Sequence, residues 1–289
     1  MTVRTPDGRE LEVVQLGPAD GTPFLLHLGT PSAAVDVPQV SRAARDCGLR
    51  TIVYSRPGYA GSTPAPDRSV ADAAADVTTI LDALGVERFV TVGWSGGGPH
   101  ALACAALRPG RCVAAATLAG VAPYRAEGLD WLAGMGEENV EEFGAALAGV
   151  PELTAYLRAE ASGLASVTGS QVAEALGGLV SEVDTAALTG DFADALAESF
   201  RRAVSTGIAG WRDDDLAFVG PWGFALSGVA VPVSVWQGGQ DRMVPYAHGR
   251  WLAGRIPGAR VHLYDDEGHL SLVDQFGRIL DDLLGLAGR

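Results

Sequence analysis

Residues 89–100 read Phe-Val-Thr-Val-Gly-Trp-Ser-Gly-Gly-Gly-Pro-His, an apolar run followed by glycines and a proline. The apolar half predicts a strand, and the proline, which a first helical turn tolerates, predicts that a helix follows. Gly93 and Gly97 flank Ser95 in a G-x-S-x-G pattern. A sharp strand-to-helix turn needs small residues at those two places and projects the serine hydroxyl, so Ser95 is the candidate nucleophile.

The rest of the chain alternates apolar runs with helix-like stretches. Two short strands flank a turn within residues 2–17, and six more are predicted at 24–28, 50–54, 89–94, 113–118, 231–237 and 260–264. Helices are predicted at 37–47, 70–84, 99–107, 247–256 and 270–286. Such alternation is typical of crossover connections, and it predicts a mainly parallel sheet flanked by helices.

One interval interrupts this alternation. Between residues 124 and 220 no convincing strand appears, and helices are predicted at 129–147, 153–161, 171–179 and 193–204. A helical insertion between parallel strands lies over their carboxyl ends, where open α/β sheets bind ligands. The expected division is therefore a first core part (1–123), a helical cap (124–220) and a second core part (221–289). A separate helical domain with no role in the site is the alternative.

A serine hydroxyl needs a general base, and the chain has five histidines. His269 directly follows the last predicted strand, at the carboxyl end of the sheet where Ser95 also lies, so it is the candidate base. His262 lies in an apolar run and is expected to be packed or at a sheet edge. His248 is expected at the surface, and His100 is expected to point away from the hydroxyl.

The base needs an acid that orients its ring and stabilises the charged form. Asp241 follows the preceding strand at the same edge of the sheet, which makes it the candidate. Two other sets of acidic residues are open. Glu127 and Asp130 follow the sixth predicted strand, and the run 213–215 is three aspartates, a composition typical of a solvated loop.

The developing oxyanion needs two N–H donors. The backbone of Gly96, next after the nucleophile, is the first candidate. The loop after the strand at 24–28 supplies the second, and Thr30 is chosen because glycine precedes it and Pro31 has no N–H. His27 is expected to hold this loop by hydrogen bonds.

Composition excludes several kinds of chemistry. All 21 basic residues are arginine. Without lysine the chain has no Walker-type phosphate loop, no Schiff-base lysine and no Ser–Lys dyad. The 35 acidic residues give a formal charge of −14, so nucleic acid and anionic membranes are poor partners. A small-molecule substrate is the expected partner, and nothing in the sequence indicates an oligomeric state.

Targeting and metal signals are also absent from the sequence. The polar start lacks the pattern of a secretory signal, and no run of about 18 apolar residues exists to span a membrane, so a cytoplasmic location is expected. The three cysteines, Cys47, Cys104 and Cys112, lack the spacing of a zinc site or a disulfide framework. No motif indicates a binding site for a metal, a nucleotide or a flavin, so no cofactor is expected.

These features together resemble the α/β-hydrolase fold family over nearly the whole chain. The order Ser95, Asp241, His269 matches the family's order of nucleophile, acid and histidine. Residues 27–31 resemble its H-G-x-P oxyanion loop with one extra residue, and 55–62, Ser-Arg-Pro-Gly-Tyr-Ala-Gly-Ser, resemble its D-R-P-G-x-G-x-S segment. The resemblance implies a mainly parallel eight-stranded sheet, a helical cap after the sixth strand, and a Ser-His-Asp hydrolase.

The nucleophile type narrows the expected reaction. The related haloalkane dehalogenases and epoxide hydrolases carry aspartate at this turn, whereas Ser95 implies acyl transfer. The expected activity is cleavage of an ester, lactone or thioester through an acyl-enzyme. Amide and carbon–carbon hydrolysis are open, as are a receptor-like ligand-binding role and a biosynthetic cyclase or acyl-transfer role. Prolyl aminopeptidase relatives differ at the turn, where tryptophan follows the serine.

The substrate is expected to be small and largely apolar, because the cap is rich in Ala, Leu, Gly and Val. The candidate substrate-binding residues are Trp94, Tyr124, Trp131 and Trp211. The alternative for each is that it packs the cap against the core.

Overall fold

One sheet contains all eight strands of the protein. The computed structural model describes residues 1–289. The strands are β1 (Thr2–Arg4), β2 (Glu10–Leu16), β3 (Thr22–His27), β4 (Leu49–Tyr54), β5 (Phe89–Trp94), β6 (Cys112–Leu118), β7 (Val233–Gly238) and β8 (Arg260–Tyr264). They lie in the order β1-β2-β4-β3-β5-β6-β7-β8. β2 runs antiparallel to both its neighbours, and all other pairs are parallel. The mainly parallel eight-stranded sheet is confirmed.

Eleven α-helices accompany the sheet, and none of them has the length and apolar character needed to cross a membrane. They are α1 (Pro38–Asp46), α2 (Ala73–Ala83), α3 (Gly97–Leu107), α4 (Glu137–Ala148), α5 (Val150–Leu164), α6 (Val172–Leu176), α7 (Glu182–Ala187), α8 (Gly190–Val204), α9 (Ala209–Val219), α10 (Tyr246–Arg255) and α11 (Phe276–Leu286). Short 3₁₀ turns precede α2 and α11.

The two faces of the sheet are each covered by helices. Successive strand side chains point to opposite faces, so Phe24 and Leu26 of β3 pack with α1 and α11, whereas Leu25 between them packs with α2 and α3. The central strands are buried on both faces, which is why β3 and β5 read as continuous apolar runs in the sequence.

Helices α4 to α9 lie between β6 and β7, and no strand interrupts them, as expected for 124–220. The first of them begins at Glu137 and not near residue 129, because Gly134 has a φ of +89° and Gly136 is extended. The division of the chain into 1–123, 124–220 and 221–289 stays a prediction.

We use the word cap below only as a label for the segment of helices α4 to α9. Two of these helices differ from the sequence expectations. The aspartate run 213–215, expected as a solvated loop, is buried within α9, because partners elsewhere in the fold enclose it. Helix α7 was not expected either. It begins after Ser181, whose side chain accepts a hydrogen bond from the N–H of Asp184.

Candidate active site

Ser95 lies at the turn between β5 and α3. Its φ is +55°, a left-handed conformation that is uncommon outside glycine, and its N–H donates to the carbonyl of Leu118 at 2.8 Å. A Cβ atom at Gly93 would collide with the Gly97 carbonyl oxygen, and one at Gly97 would collide with that of His27. Only glycine at these places lets β3, β5 and α3 approach closely enough to hold the turn.

His269 and Asp241 are in direct contact. The Nδ1 of His269 lies 2.8 Å from Oδ2 of Asp241, and both side chains are almost completely buried. The carboxylate accepts three further hydrogen bonds, from the amide of Gln237 and from the N–H groups of Met243 and Val244, at 2.8–2.9 Å. Asp241 is therefore held in place by four donors, and it directs Nε2 of His269 away from itself.

The charge state of His269 follows from its neighbours. Burial alone lowers the pKa of the imidazole because it disfavours the charged ring. The charge and hydrogen bond of Asp241, together with the charge of Asp184, act in the opposite direction and outweigh burial, so the pKa of His269 lies above its ordinary value of 6.5. The ring is thus suited to accept a proton and hold it.

A cap residue holds the loop that carries His269. Oδ1 of Asp184, in α7, accepts hydrogen bonds from the N–H groups of Leu270 at 2.7 Å and Ser271 at 3.1 Å. Its Oδ2 accepts a hydrogen bond from the Ser181 hydroxyl at 2.8 Å. Sequence reasoning missed this residue. The S-x-x-D spacing indicates a helix start, but nothing local indicates a partner 86 residues further along the chain.

Ser95 and His269 open onto one cavity of about 230 Å³ between sheet and cap. Neither the Ser95 hydroxyl nor Nε2 of His269 makes a hydrogen bond within the protein. Trp94 and Trp211 also lie in the cavity wall. The wall is mixed, since 18 of its 32 residues are hydrophobic.

The two candidate oxyanion donors lie side by side at the same cavity. Gly96 and Thr30 both line it, and their N–H groups donate no hydrogen bond within the protein. A Cβ atom at Gly96 would lie 2.5 Å from Oγ1 of Thr30, so the two loops are in close contact. Two free N–H groups beside the serine form the kind of site that binds a developing negative charge.

A buried arginine holds the Thr30 loop. The guanidinium of Arg56 donates to the carbonyls of Leu28 and Gly29 and, at 2.8 Å, to the Thr30 hydroxyl. Asp214 of α9 accepts hydrogen bonds from Arg56 at 2.6 Å and from the same hydroxyl at 2.9 Å. Arg56 belongs to the quoted 55–62 segment, so that segment did contain a signal for the residue, though not for this role.

Asp214 is the most fully paired acid of the cap. Arg68 and the Tyr59 hydroxyl also donate to it, at 2.7 and 2.9 Å. Burial acts to raise the pKa of Asp214, but the charges of Arg56 and Arg68 outweigh burial, and the pKa lies below its ordinary value.

The expectation that His27 holds this loop is wrong. Its Nδ1 has no partner, and its ring packs edge-on against Tyr54 and parallel to the ring of His100. An arginine carries five donors on one planar group, so Arg56 alone can hold three oxygens of the loop that an imidazole could not reach together.

The other histidines lie away from the serine. The expectation that His248 lies at the surface is wrong, because it is fully buried. Its Nδ1 accepts a hydrogen bond from the N–H of Ala122, in the segment that leads from β6 to the cap, at 3.1 Å. His100 is buried with Nδ1 2.8 Å from the Gly96 carbonyl oxygen and makes no hydrogen bond to Ser95. His262 is in the edge strand β8, stacked on Trp236, as expected.

Two of the other candidate acids and two candidate substrate residues lie elsewhere. Glu127 and Asp130 are exposed and do not meet His269. Tyr124 and Trp131 are outside the cavity wall. Trp131 packs edge-on against Phe143 of α4 and against His248 of α10, so its ring joins the cap to the core.

The sequence and the structure of this chain are also similar to those of known proteins. A profile of the alpha/beta hydrolase fold matches residues 22–276. The chain belongs to the alpha/beta hydrolase family. Among solved structures, an alpha/beta hydrolase fold protein from Nakamurella multipartita is 26% identical with a TM-score of 0.67, and covers 100% of this chain and 99% of its own.

Two further relatives carry functional names. The enol-lactonase from Burkholderia xenovorans LB400 shares the fold of this family member with a TM-score of 0.69 at 21% identity, over 99% of this chain and 100% of its own. A non-heme chloroperoxidase from Streptomyces lividans is 34% identical over 149 residues, 51% of this chain. This chain spans about half (54%) of that curated relative.

Proposed function

We propose that this alpha/beta hydrolase is a serine hydrolase that cleaves an ester, lactone or thioester bond of a small substrate through an acyl-enzyme. Ser95 is the nucleophile, His269 the base and Asp241 the acid that orients it. The observation that carries the proposal is the buried 2.8 Å hydrogen bond between Asp241 and His269 beside a cavity that Ser95 also enters. An esterase and an enol-lactonase among the proteins of this fold accord with an ester-like bond.

The first half of the proposed reaction forms the acyl-enzyme. The Ser95 oxygen attacks the acyl carbon while its proton passes to Nε2 of His269. The Gly96 and Thr30 N–H groups bind the oxyanion, and Asp241 stabilises the imidazolium that forms. The tetrahedral intermediate then collapses, the bond to the leaving oxygen or sulfur breaks, and Nε2 returns the proton to that atom.

The second half releases the acid. A water molecule attacks the acyl carbon and gives a proton to Nε2 of His269. Collapse of the second intermediate breaks the bond to the Ser95 oxygen, which takes that proton back. The enzyme returns to its starting state, and the net reaction consumes one water molecule.

Covalent labelling tests the proposal directly. We expect a fluorophosphonate probe to label Ser95, and the protein to hydrolyse p-nitrophenyl acetate. Ser95→Ala should lose the label and about 10⁴-fold or more in kcat while keeping its folding transition. An exposed serine, Ser205→Ala, is the matched control and should change neither.

Three outcomes would contradict the proposal. Absence of labelling in the native protein would favour a receptor-like role. Labelling with consumption of an acyl donor but no net hydrolysis would favour acyl transfer or cyclisation. Equal hydrolysis by the Ser95→Ala protein and the parent, above the buffer rate, would remove Ser95 from the reaction.

A further inference from the structure

The cap side of the active-site cavity is acidic. Four carboxyl side chains lie in its wall, and no arginine or lysine does. They are Glu138 and Glu142 of α4, Glu160 of α5 and Asp215 of α9. We refer to these four as the cap carboxyls. Each comes from a helix of the cap, so this charge belongs to the part of the cavity opposite Ser95.

Asp215 is a buried member of the cap carboxyls. Its side chain is fully buried, and no arginine, hydroxyl or backbone N–H donates to either of its oxygens. Its side-chain partner is the carboxyl of Glu142, whose Oε1 accepts the indole N–H of Trp211 at 2.7 Å. A buried carboxylate without a donor is costly, so this pair of acids favours either a proton or a cationic ligand between its oxygens.

The arginines near Asp215 donate their hydrogen bonds to its neighbour and not to Asp215 itself. Arg56 and Arg68 both donate to Asp214, the preceding residue. Consecutive helical side chains point about 100° apart, so Asp214 faces the sheet and Asp215 faces the cavity. The local positive charge is therefore used on the sheet side, and the cap carboxyls have none of their own.

Burial favours the protonated forms of Glu142 and Asp215. Burial raises the pKa of Glu142 above its ordinary value. Burial also raises the pKa of Asp215, and the charge of Glu142 raises it further. A cation that reached the pair would release a proton and supply the missing donors in the same place.

The helix that carries Asp215 reaches the turn of the candidate nucleophile. Trp211, Asp215 and Phe218 follow one another at i, i+4 and i+7 on α9, and all three line the cavity that Ser95 enters. A Cβ atom at Gly96 would lie 3.0 Å from the Phe218 ring. Asp215 is three positions before Phe218, about 4.5 Å along the helix axis. A group held by Asp215 therefore lies in the same cavity as a carbonyl at Ser95.

The chemistry of the wall favours an ammonium over a metal ion. No set of three or more acidic, histidine or cysteine side chains converges closely enough to hold a metal. An ammonium group needs two or three acceptors and tolerates an aromatic face, and Glu142, Asp215 and the Trp211 ring offer both.

We infer that the substrate of this site carries an amine, held as its ammonium by Asp215 and Glu142 while Ser95 attacks its acyl carbon. The inference rests on the proposed function and names the substrate class. An ammonium balances the negative charge of the cap carboxyls. The hydrophobic residues of the cavity wall then enclose the rest of a small molecule.

Two pairs of isosteric esters test the inference near neutral pH. β-Alanine methyl ester and methyl butanoate differ only by an ammonium in place of a methyl group on the acyl side. The protonated form of 2-(dimethylamino)ethyl acetate and 3-methylbutyl acetate differ by a charged N–H in place of a C–H on the alcohol side. We expect kcat/KM to be about tenfold or more higher for the cation in one pair. The pair that shows this preference identifies whether the amine lies on the acyl side or on the alcohol side of the ester. A ratio of one or less in both pairs would overturn the inference.

Variants connect the preference to the named residues. Asp215→Asn and Glu142→Gln should each bring the ratio of charged to neutral ester down towards one. Glu142→Gln keeps an oxygen for the Trp211 indole, so it should fold even where Asp215→Asn does not. Glu141→Gln is the matched control on the same helix, exposed and outside the cavity, and should keep the parent ratio. An unchanged ratio in Glu142→Gln would overturn the inference.

A binding measurement separates this inference from the proposed function. The Ser95→Ala protein cannot turn over, so calorimetry on it reports binding alone. We expect β-alanine amide to bind at least about tenfold more tightly than butanamide. Tight binding of the cation without any Ser95 labelling in the parent would contradict the proposed reaction alone. Equal binding of the two amides, with Ser95 labelled, would contradict the amine alone.

Discussion

Two buried carboxyl groups near the active-site cavity are in opposite states. Asp241 contacts His269 from outside the cavity wall, accepts four hydrogen bonds and has no bonding capacity left. Asp215 lies in the cavity wall, is equally buried, and has only the carboxyl of Glu142 as a side-chain partner. The contrast is repeated within one helix turn, because Asp214 is fully paired and Asp215 beside it is not.

The comparison distinguishes carboxylates that stabilise the fold, such as Asp241 and Asp214, from one that can still bind a ligand, Asp215. Donors built into the fold surround Asp241 and Asp214, so removal of either carboxylate leaves buried donors without partners. No arginine or backbone N–H donates to Asp215, so its removal leaves no such donor without a partner and should affect a bound cation more than the protein itself. The experiments below test the paired side of this comparison, beginning with the largest expected effect.

Asp241→Asn should cause the greatest loss. Asparagine cannot stabilise the imidazolium and favours the wrong tautomer of His269, so we expect kcat to fall by about 10³–10⁴-fold. Steady-state hydrolysis of p-nitrophenyl acetate measures it. Asp266→Asn, an exposed acid three residues before His269, is the matched control and should leave kcat unchanged. Retention of more than about a tenth of the parent kcat by Asp241→Asn would exclude this role.

Asp214→Asn should have the largest effect on stability. It leaves the buried guanidinium groups of Arg56 and Arg68 without their counter-charge, and we expect the free energy of unfolding to fall by about 3–5 kcal/mol in urea denaturation. Asp191→Asn removes an ion pair with Arg42 that is more than half exposed, and it should leave the free energy of unfolding nearly unchanged.

The pH dependence of that difference has a definite sign. The pKa of Asp214 is lower in the folded protein than in the unfolded chain, so its stabilisation is present above the unfolded pKa of about 3.9 and lost as the pH falls below it. The gap between parent and Asp214→Asn should therefore be full at neutral pH and shrink under acid conditions. A gap that widened on acidification would contradict the assignment.

Asp184→Ala should have an intermediate effect. Two N–H groups next to His269 lose their acceptor, at an expected cost of about 1–3 kcal/mol, part of which should appear as a lower kcat. Asp184→Asn keeps one acceptor oxygen and should restore part of kcat. Both variants lose a charge that raises the pKa of His269, so the acid limb of kcat/KM should move to lower pH. A merely structural role would leave that limb in place.

The smallest effect is the position of the acid limb in the parent. His269 must be neutral to accept the serine proton, so kcat/KM should fall as the pH drops through its pKa. Asp241 and Asp184 raise that pKa, and the midpoint should lie above 6.5 for a neutral ester such as methyl butanoate. A midpoint at or below 6.5, or a flat profile, would remove His269 as the base.

Local patterns predicted the sheet and its immediate loops well. The strand at 89–94 has the bounds expected, because a strand buried on both faces is a continuous apolar run that ends where glycines begin. Ser95, Asp241 and His269 each follow a strand of that sheet, so strand order was sufficient to bring them to one edge. Asp241 and His269 then proved to be in contact.

The cap was predicted less well, for a physical reason. Three adjacent aspartates are typical of a solvated loop, and only partners from distant segments, Arg56 and Arg68, keep one of them charged within a buried helix. His248 has polar neighbours in the sequence, yet it is buried because the N–H of Ala122 needs an acceptor there. A local pattern contains no information about such partners.

The sequence by itself determined the parallel sheet, the strained serine turn and the order of the three candidate catalytic residues, because these depend on residue type and spacing along one strand or turn. Tertiary structure alone decided which acids are paired. Whether a carboxylate meets an arginine, a backbone N–H or an empty cavity depends on side chains that fold in from elsewhere. Asp214 and Asp215 are identical and adjacent, and a helical rotation of about 100° turns one to the fold and the other to the cavity.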